Sequence, residues 1–389
     1  MNILVIGLGR CGGRIADEFN RLNDRARGQR GLEIVSGAFA VSADMSDLID
    51  LTSIKADYRH RILIGAEELK GFGVDGDNKL GAQVMQEHAD TVLEEIRETK
   101  HFFETDAILV IAGAAGGIGS GALPVMVQRI KQRFIDKIVY AMAVLPDEHE
   151  EREESRTVYN TAVCLKSVAS VADAVFLVDN EQYRTDTIAQ DDYSETNRAI
   201  AEPFYNLLSA GAEQRKKHIG AKLLDAGDII QTLGGWTVLG SGRIDLPVSL
   251  TSILPGSFGK TSSETGSGIR AMDEAVGEVS HLCRPEDAAS ALYLVAAPAH
   301  EINLNLIKAL GDHLKKVAPN AIIRSGDYPV GRGIIEVTII VSRLSDVARV
   351  RDFYERSVVL TGDDREEPAS TEPDDALNDD GTGQSTDVS

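Results

Sequence analysis

Two glycine clusters stand where a chain would hold phosphate. Gly7-Leu8-Gly9-Arg10-Cys11-Gly12-Gly13-Arg14 follows an apolar run at residues 3–6 and opens a helical pattern near Ile15. Ala112-Gly113-Ala114-Ala115-Gly116-Gly117-Ile118-Gly119-Ser120-Gly121 follows the apolar run 107–111 and precedes Ala122-Leu123-Pro124-Val125. Glycines between a strand and a helix let the backbone turn sharply and approach a ligand, and the helix N-terminus adds free N–H groups and partial positive charge. The matching chemistry is the cradling of a di- or triphosphate by main-chain amides. Neither cluster ends in GK[ST], so no P-loop lysine sits on the phosphates. The first cluster alone also suits a bare turn or a dinucleotide site. A dinucleotide site wants an acid about 20 residues on, at the end of the second strand. Here Asp44 stands about 30 residues downstream of the cluster, which counts against NAD.

The elements that must position these loops alternate. Short β-branched runs at 3–6, 34–41, 62–64, 108–111, 138–145 and 175–178 read as strands, with helical patterns between them, as at 81–99 and 123–134. Several strands are continuous apolar runs, as expected when both faces of a sheet are covered. This predicts an α/β fold with a doubly wound, mostly parallel sheet. Two glycine loops at the C-terminal ends of such strands point to one polyphosphate crevice. After a polar stretch at 191–196, a long central helix is expected over about 197–217. A glycine-rich region follows (Gly234, Gly235, Gly240, Gly242), then a long Ser/Thr/Gly-rich loop over 247–267. A second, smaller α/β block has strands near 291–297, 321–325 and 334–342 and helices near 301–317 and 345–356.

Composition narrows the function classes. The chain has 389 residues, 43% hydrophobic, with a formal net charge of −21. That is ordinary globular material, enough for about two domains. Three scattered cysteines (Cys11, Cys164, Cys283) suit neither a disulfide framework nor a zinc ribbon, so a reducing cytoplasm is expected. The eight histidines form no HExxH motif, and no metal-ligand set is expected. Strong negative charge without a basic patch argues against nucleic acid as a partner. No apolar run approaches the ~20 residues of a membrane span, and the first residues read as a strand. Ten acidic residues fall in the last stretch, from about Thr361, against one arginine. With almost no large apolar side chains it is expected to be a disordered, acidic tail.

With these residues in order, the chain resembles the tubulin/FtsZ superfamily, most of all the archaeal CetZ proteins. Ala115 to Gly121 is similar to the signature GGGTG[ST]G, and Gly9-Arg10-Cys11-Gly12 to the tubulin GQCG. Lys70-Gly71-Phe72-Gly73-Val74-Asp75-Gly76-Asp77-Asn78-Lys79-Leu80-Gly81 looks like the family's third phosphate-side loop. Val178-Asp179-Asn180-Glu181 resembles the tubulin-type DNE, and Gly326-Asp327-Tyr328-Pro329-Val330 a CetZ segment. The motifs run in the family's order from Met1 to about Ser342.

The resemblance implies a GTP-binding, GTP-hydrolysing cytoskeletal protein that polymerises head to tail and takes part in cell shape control. It divides the chain into a GTP-binding domain (1–192), a central helix (193–222), a C-terminal domain opening on the catalytic loop (223–358) and the tail (359–389). By the resemblance, Arg10, Cys11, Gly12, Gly13 and Arg14 line the phosphates with Gly9. From the second loop Ala115, Gly116, Gly117, Ile118, Gly119, Ser120 and Gly121 do the same. Glu153, or else Glu150 or Glu151, contacts the ribose. Asn180 and Asn197 contact guanine, and Tyr193 stacks on the base. Asp225 and Asp228 enter the next subunit's site, where they orient or polarise the attacking water. Two aspartates in a turn also serve local capping. Mg²⁺ is expected to bind through the nucleotide phosphates and water.

Four residues depart from the pattern. Ile118 replaces the signature threonine and its hydroxyl. Ala115 replaces a glycine, Leu223 stands where many relatives carry Asn, and Pro203 interrupts the central helix. Backbone donation survives these changes, whereas a hydroxyl that could contact phosphate or its Mg²⁺ shell is lost. Alternative readings are therefore a nucleotide-dependent scaffold with little hydrolysis, an FtsZ-like role in division, and a remote NAD-dependent oxidoreductase. The acidic tail is either a docking arm for regulators or a solubilising extension.

Overall fold

The computed structural model describes residues 1–183, 193–213, 220, 222–246 and 260–363. The first strand, β1 (Ile3–Leu8), is buried along its whole length. It feeds α1 (Gly9–Arg30), which ends on Gly31 in the left-handed region. The order continues β2 (Val35–Ser42), α2 (Met45–Ile49), β3 (Arg61–Leu63), α3 (Ala66–Leu69) and α4 (Asn78–Arg97). Next come β4 (Ala107–Gly113), α5 (Gly117–Arg133), β5 (Ile138–Leu145), α6 (Glu148–Glu153), α7 (Ser155–Ala169) and β6 (Ala174–Asp179). The second half holds α8 (Ser194–Ala212), α9 (Ala226–Thr232), β7 (Gly235–Asp245) and α10 (Lys260–Leu282). It closes with β8 (Ala288–Ala297), α11 (Leu304–Val317), β9 (Ile322–Pro329), β10 (Ile334–Leu344) and α12 (Ala348–Asp363).

Among the described residues one sheet carries ten strands, in the order β3-β2-β1-β4-β5-β6-β7-β10-β8-β9. Every pair from β3 to β7 is parallel; β10 runs antiparallel to β7 and to β8, and β8 is parallel to β9. The order turns back at β1 and β4, the switch point where α/β folds hold ligands. Alternate residues of β1 serve two cores. Leu4, Ile6 and Leu8 join a layer with Met85 of α4, Leu123 of α5, Leu165 of α7, Met272 of α10 and Phe353 of α12. Ile3 and Val5 join the opposite layer with Phe19 of α1, Phe204 of α8 and Ile229 of α9.

The expected doubly wound, mostly parallel sheet is present, and the second α/β block continues it. The link is β7, which pairs with β6 from Ala174↔Gly235 to Leu177↔Val238. That segment reads in sequence as a glycine-rich region because its glycines answer to α10. A Cβ on Gly242 would sit 1.9 Å from the Ala271 carbonyl oxygen, and one on Gly240 2.3 Å from that of Ala275. The helix lies directly on the strand, and side chains there would push it away. The helix α10 itself has no counterpart in the sequence reading, and from Lys260 it takes over the end of the expected long loop. The rest of that loop, 247–259, lies outside the described residues.

Two boundaries move. The central helix α8 ends at Ala212, short of Lys217, with Glu213 already extended as its C-cap. The last helix, α12, runs to Asp363, so residues 359–363 are helical and not part of a tail. The expected disorder from 364 onward lies outside the described residues, as does the polar stretch at 191–192. Among the described residues no helix is long and apolar enough to cross a membrane.

Candidate functional site

The C-terminal ends of β1, β4, β5 and β6 converge on a cavity of about 360 Å³. Its floor is made by Leu8, Gly9, Gly113, Ala115, Gly116 and Gly119, its walls by Val144, Leu145, Pro146 and Ile200. Two helices begin at this floor, α1 after Leu8 and α5 after Gly116. Neither has a side-chain cap, and neither has an acidic residue in its first turn. The first N–H groups of a helix lack intrahelical partners, so both termini direct donors and partial positive charge at the cavity. Gly9 makes the first turn possible with a φ of 66°, a value that side-chain-bearing residues rarely adopt.

Arg10 and Arg14 stand on the rim, and both line the cavity. Asp47 of α2 holds the Arg10 guanidinium at 2.8 Å, and this hydrogen bond raises its already high pKa. Arg14 approaches Asp50 at 3.8 Å and places its guanidinium carbon 5.9 Å from the Tyr193 ring centre. That is cation–π distance, so Arg14 and Tyr193 form one wall. Asn180 follows β6 directly, and Asn197 lies in the first turns of α8, its N–H donating to the Tyr193 carbonyl at 2.8 Å. Both asparagines and Tyr193 line the cavity, with Thr196 between them. Cys11 faces it too. Burial pushes its thiol up to about 12, with Glu150 adding to the effect.

Several expected residues lie elsewhere. Gly12, Gly13, Gly117, Ile118, Ser120 and Gly121 are buried behind the floor and do not line the cavity. Ile118, 7% exposed, packs in the core, so the missing threonine hydroxyl is replaced by apolar contact. The Ser120 hydroxyl donates to the Gly116 carbonyl at 2.6 Å. Glu153 is exposed beside His149 at 3.4 Å, away from the cavity, because α6 turns its far end outward. Glu150 is the acid that lines the cavity, its carboxyl raised above the usual range by burial and by Asp147. Glu151 turns its side chain to the other side of the helix, against Arg349 and Arg356. Asp44, the late acid that counts against a dinucleotide site, caps α2 by accepting from the Ser46 N–H at 2.8 Å.

Asp225 and Asp228 sit at the opposite edge of the sheet. Asp225 caps α9, accepting from the Asp228 N–H at 2.8 Å, and Asp228 pairs with Arg324 at 3.3 Å. The amine of Met1, lowered by burial and raised again by Asp106 and Asp225, marks that edge as the N-terminal end of β1. Asn197, Thr196 and Ile200 at the start of α8 touch the cavity, whereas Gly211 near its end meets Leu224. A helix of 19 residues spans roughly 28 Å, so these acids cannot reach the cavity of their own chain.

One residue of the site had no signal in the sequence. The Asn160 amide, on α7, donates to the carbonyls of Gly76 at 2.9 Å and Ala115 at 2.8 Å. It ties the 70–81 loop to the cavity floor. An isolated Asn within an amphipathic helical pattern gives no hint of this.

Comparison with known proteins fits this geometry. Residues 2–185 match the family model of the tubulin/FtsZ GTPase domain, and residues 186–359 that of the C-terminal domain of tubulin-like CetZ. The chain is 30% identical over 376 residues to the tubulin-like protein CetZ1 of Haloferax volcanii, covering 92% of each. Its fold is similar to the solved GDP-bound monomer of that CetZ1, with a TM-score of 0.77 and 27% identity, over 93% of this chain and all of that one. A GTPγS-bound protofilament of Haloferax volcanii CetZ2 gives a TM-score of 0.79 at 27% identity, over 94% and 100%.

Proposed function

The chain belongs to the tubulin/FtsZ family, with a CetZ-type C-terminal domain, and from that premise we propose that it binds GTP in the cavity at the switch point, assembles head to tail, and hydrolyses the nucleotide at the junction between subunits. The single observation that carries this reading is the placement of pocket and paired acids at opposite ends of one rigid helix, α8. A monomeric nucleotide binder has no use for that arrangement. A filament does, because each subunit's Asp225 and Asp228 then meet the next subunit's cavity.

The uncapped starts of α1 and α5 supply amides to the phosphates, and Arg10 and Arg14 add charge at the rim. Glu150 takes the ribose, Asn180 and Asn197 read the guanine edge, and Tyr193 stacks on the base. An Asn amide both donates and accepts, which suits guanine. Phosphoryl transfer depends mainly on positioning and electrostatics, so two carboxylates that orient water are sufficient protein chemistry. Mg²⁺ would come with the phosphates and their water shell, neutralising their charge. The known tubulin-like setting supports a cytoplasmic filament that acts in cell shape control, with an FtsZ-like division role as the other cellular assignment.

A second reading, a nucleotide-dependent scaffold with slow turnover, is favoured by Ile118, whose side chain lies in the core and offers no hydroxyl. One experiment separates the readings: GTP turnover and pelleting of the full chain as a function of its concentration, with GTP, GDP and a slowly hydrolysed analogue. The main reading expects turnover per molecule to rise with concentration as filaments form. Assembly with negligible turnover selects the scaffold. Absence of both guanine-nucleotide binding and assembly rejects the proposal.

A further inference from the structure

The helix α12 packs beside α7 on one face of the sheet and reaches the edge of the cavity. Its Arg349 guanidinium grips Glu151 and donates to the Pro146 carbonyl at 3.4 Å. Its Nε lies 3.7 Å from an Asp179 carboxylate oxygen. These three partners are not scattered. Pro146 lines the cavity itself, Glu151 follows Glu150 in α6, and Asp179 precedes Asn180 at the end of β6. One side chain from the second half of the chain therefore holds both segments that present the cavity's acid and one of its asparagines.

The clamp is rigid for physical reasons. The Glu151 side chain is 5% exposed and accepts from Arg356 at 2.6 Å as well. Arg349 stacks over the buried Phe353 ring at 4.8 Å. The guanidinium fork hydrogen-bonds Glu151 and the Pro146 carbonyl, while its Nε makes no hydrogen bond and faces Asp179 as an ion pair. One planar cation thus serves both carboxylates where a lysine ammonium could serve only one well. Without Arg349 the buried Asp179 carboxylate loses its cation and Glu151 keeps only Arg356. Asp179 would then turn toward water and carry Asn180 with it, while α6 and Glu150 lose one of their two anchors.

We infer that Arg349 is a positioning residue for the cavity, so that α12 sets how tightly the pocket retains its nucleotide. This rests on the cavity being a guanine-nucleotide site.

The test is the release rate of a fluorescent mant-GDP from the full chain on chase with excess GTP. Arg349→Ala should release about tenfold faster, within the usual range of coupling between sites. Arg349→Lys should fall between it and the wild type. Asp179→Asn, which keeps the arginine and the local shape, should also accelerate release. Combined with Arg349→Ala it should add little, because both remove the same contact. Arg351→Ala removes an exposed arginine of α12 that pairs with Asp346 and with none of the cavity's segments, and should leave release unchanged. Thermal melting checks that each variant is folded, and Asp179→Asn decides the matter if Arg349→Ala is not. Wild-type release rates in folded Arg349→Ala or Asp179→Asn overturn the inference. A wild-type chain that binds no mant-GDP overturns the nucleotide reading beneath it instead.

Discussion

The Asn160 side-chain amide donates to the Ala115 carbonyl at 2.8 Å while its other hydrogen serves the Gly76 carbonyl at 2.9 Å. Ala115 lies in the cavity floor and Gly76 in the loop ahead of α4, so one buried side chain sets the spacing of two loops. Asn160→Ala leaves both carbonyls without this donor and should cost about 2 kcal/mol of stability. It should also weaken guanine-nucleotide binding several-fold. Denaturant melts and a GDP titration check the pair of effects, and unchanged affinity would mean that the spacing does not matter to the pocket.

Asp225 is exposed and caps α9, at the far end of α8 from the cavity. Asp225→Ala should therefore lower GTP turnover by about 100-fold, in the range of a lost acid–base group, with binding kept within a few-fold. Turnover and GDP affinity measured on the same preparation decide it. Equal loss of both would falsify the assignment across the subunit junction.

Gly242→Ala places a methyl where the Ala271 carbonyl oxygen stands 1.9 Å away. Backbone on both sides must shift, so α10 lifts from β7 at a cost of about 3 kcal/mol. Calorimetry should register the loss. The cavity is lined by none of these residues, so GDP affinity of the remaining folded protein should hold.

Glu336 faces the cleft between α1, α8 and the C-terminal strands, and burial raises its carboxyl above the usual range despite a 3.4 Å hydrogen bond from Asn206. A raised folded-state pKa means that the folded chain keeps a proton that the unfolded chain gives up. The stabilising effect is full below the ordinary glutamate value of about 4.3 and fades as pH rises through the folded pKa. Glu336→Gln removes that loss. Its melting temperature relative to the wild type should therefore climb from acidic to neutral pH, and a difference that stays flat with pH would refute the buried-charge account.

What the sequence determined by itself is local. Apolar runs ending in glycine clusters mark β1 and β4 and the turns after them, because strand burial and helix starts depend on neighbours along the chain. The order of short motifs also identified the family, and with it Asn180, Asn197 and Tyr193, which line the cavity. Only the tertiary structure decided the rest. Glu150 rather than Glu153 faces the cavity because α6 rotates through its own short turn. Gly240 and Gly242 belong to a strand because α10, some thirty residues on, packs against them. Asn160 and Arg349 matter through partners 45 and 198 residues away in sequence. Such contacts leave no periodicity to read, since their energy depends on where folding brings distant groups together.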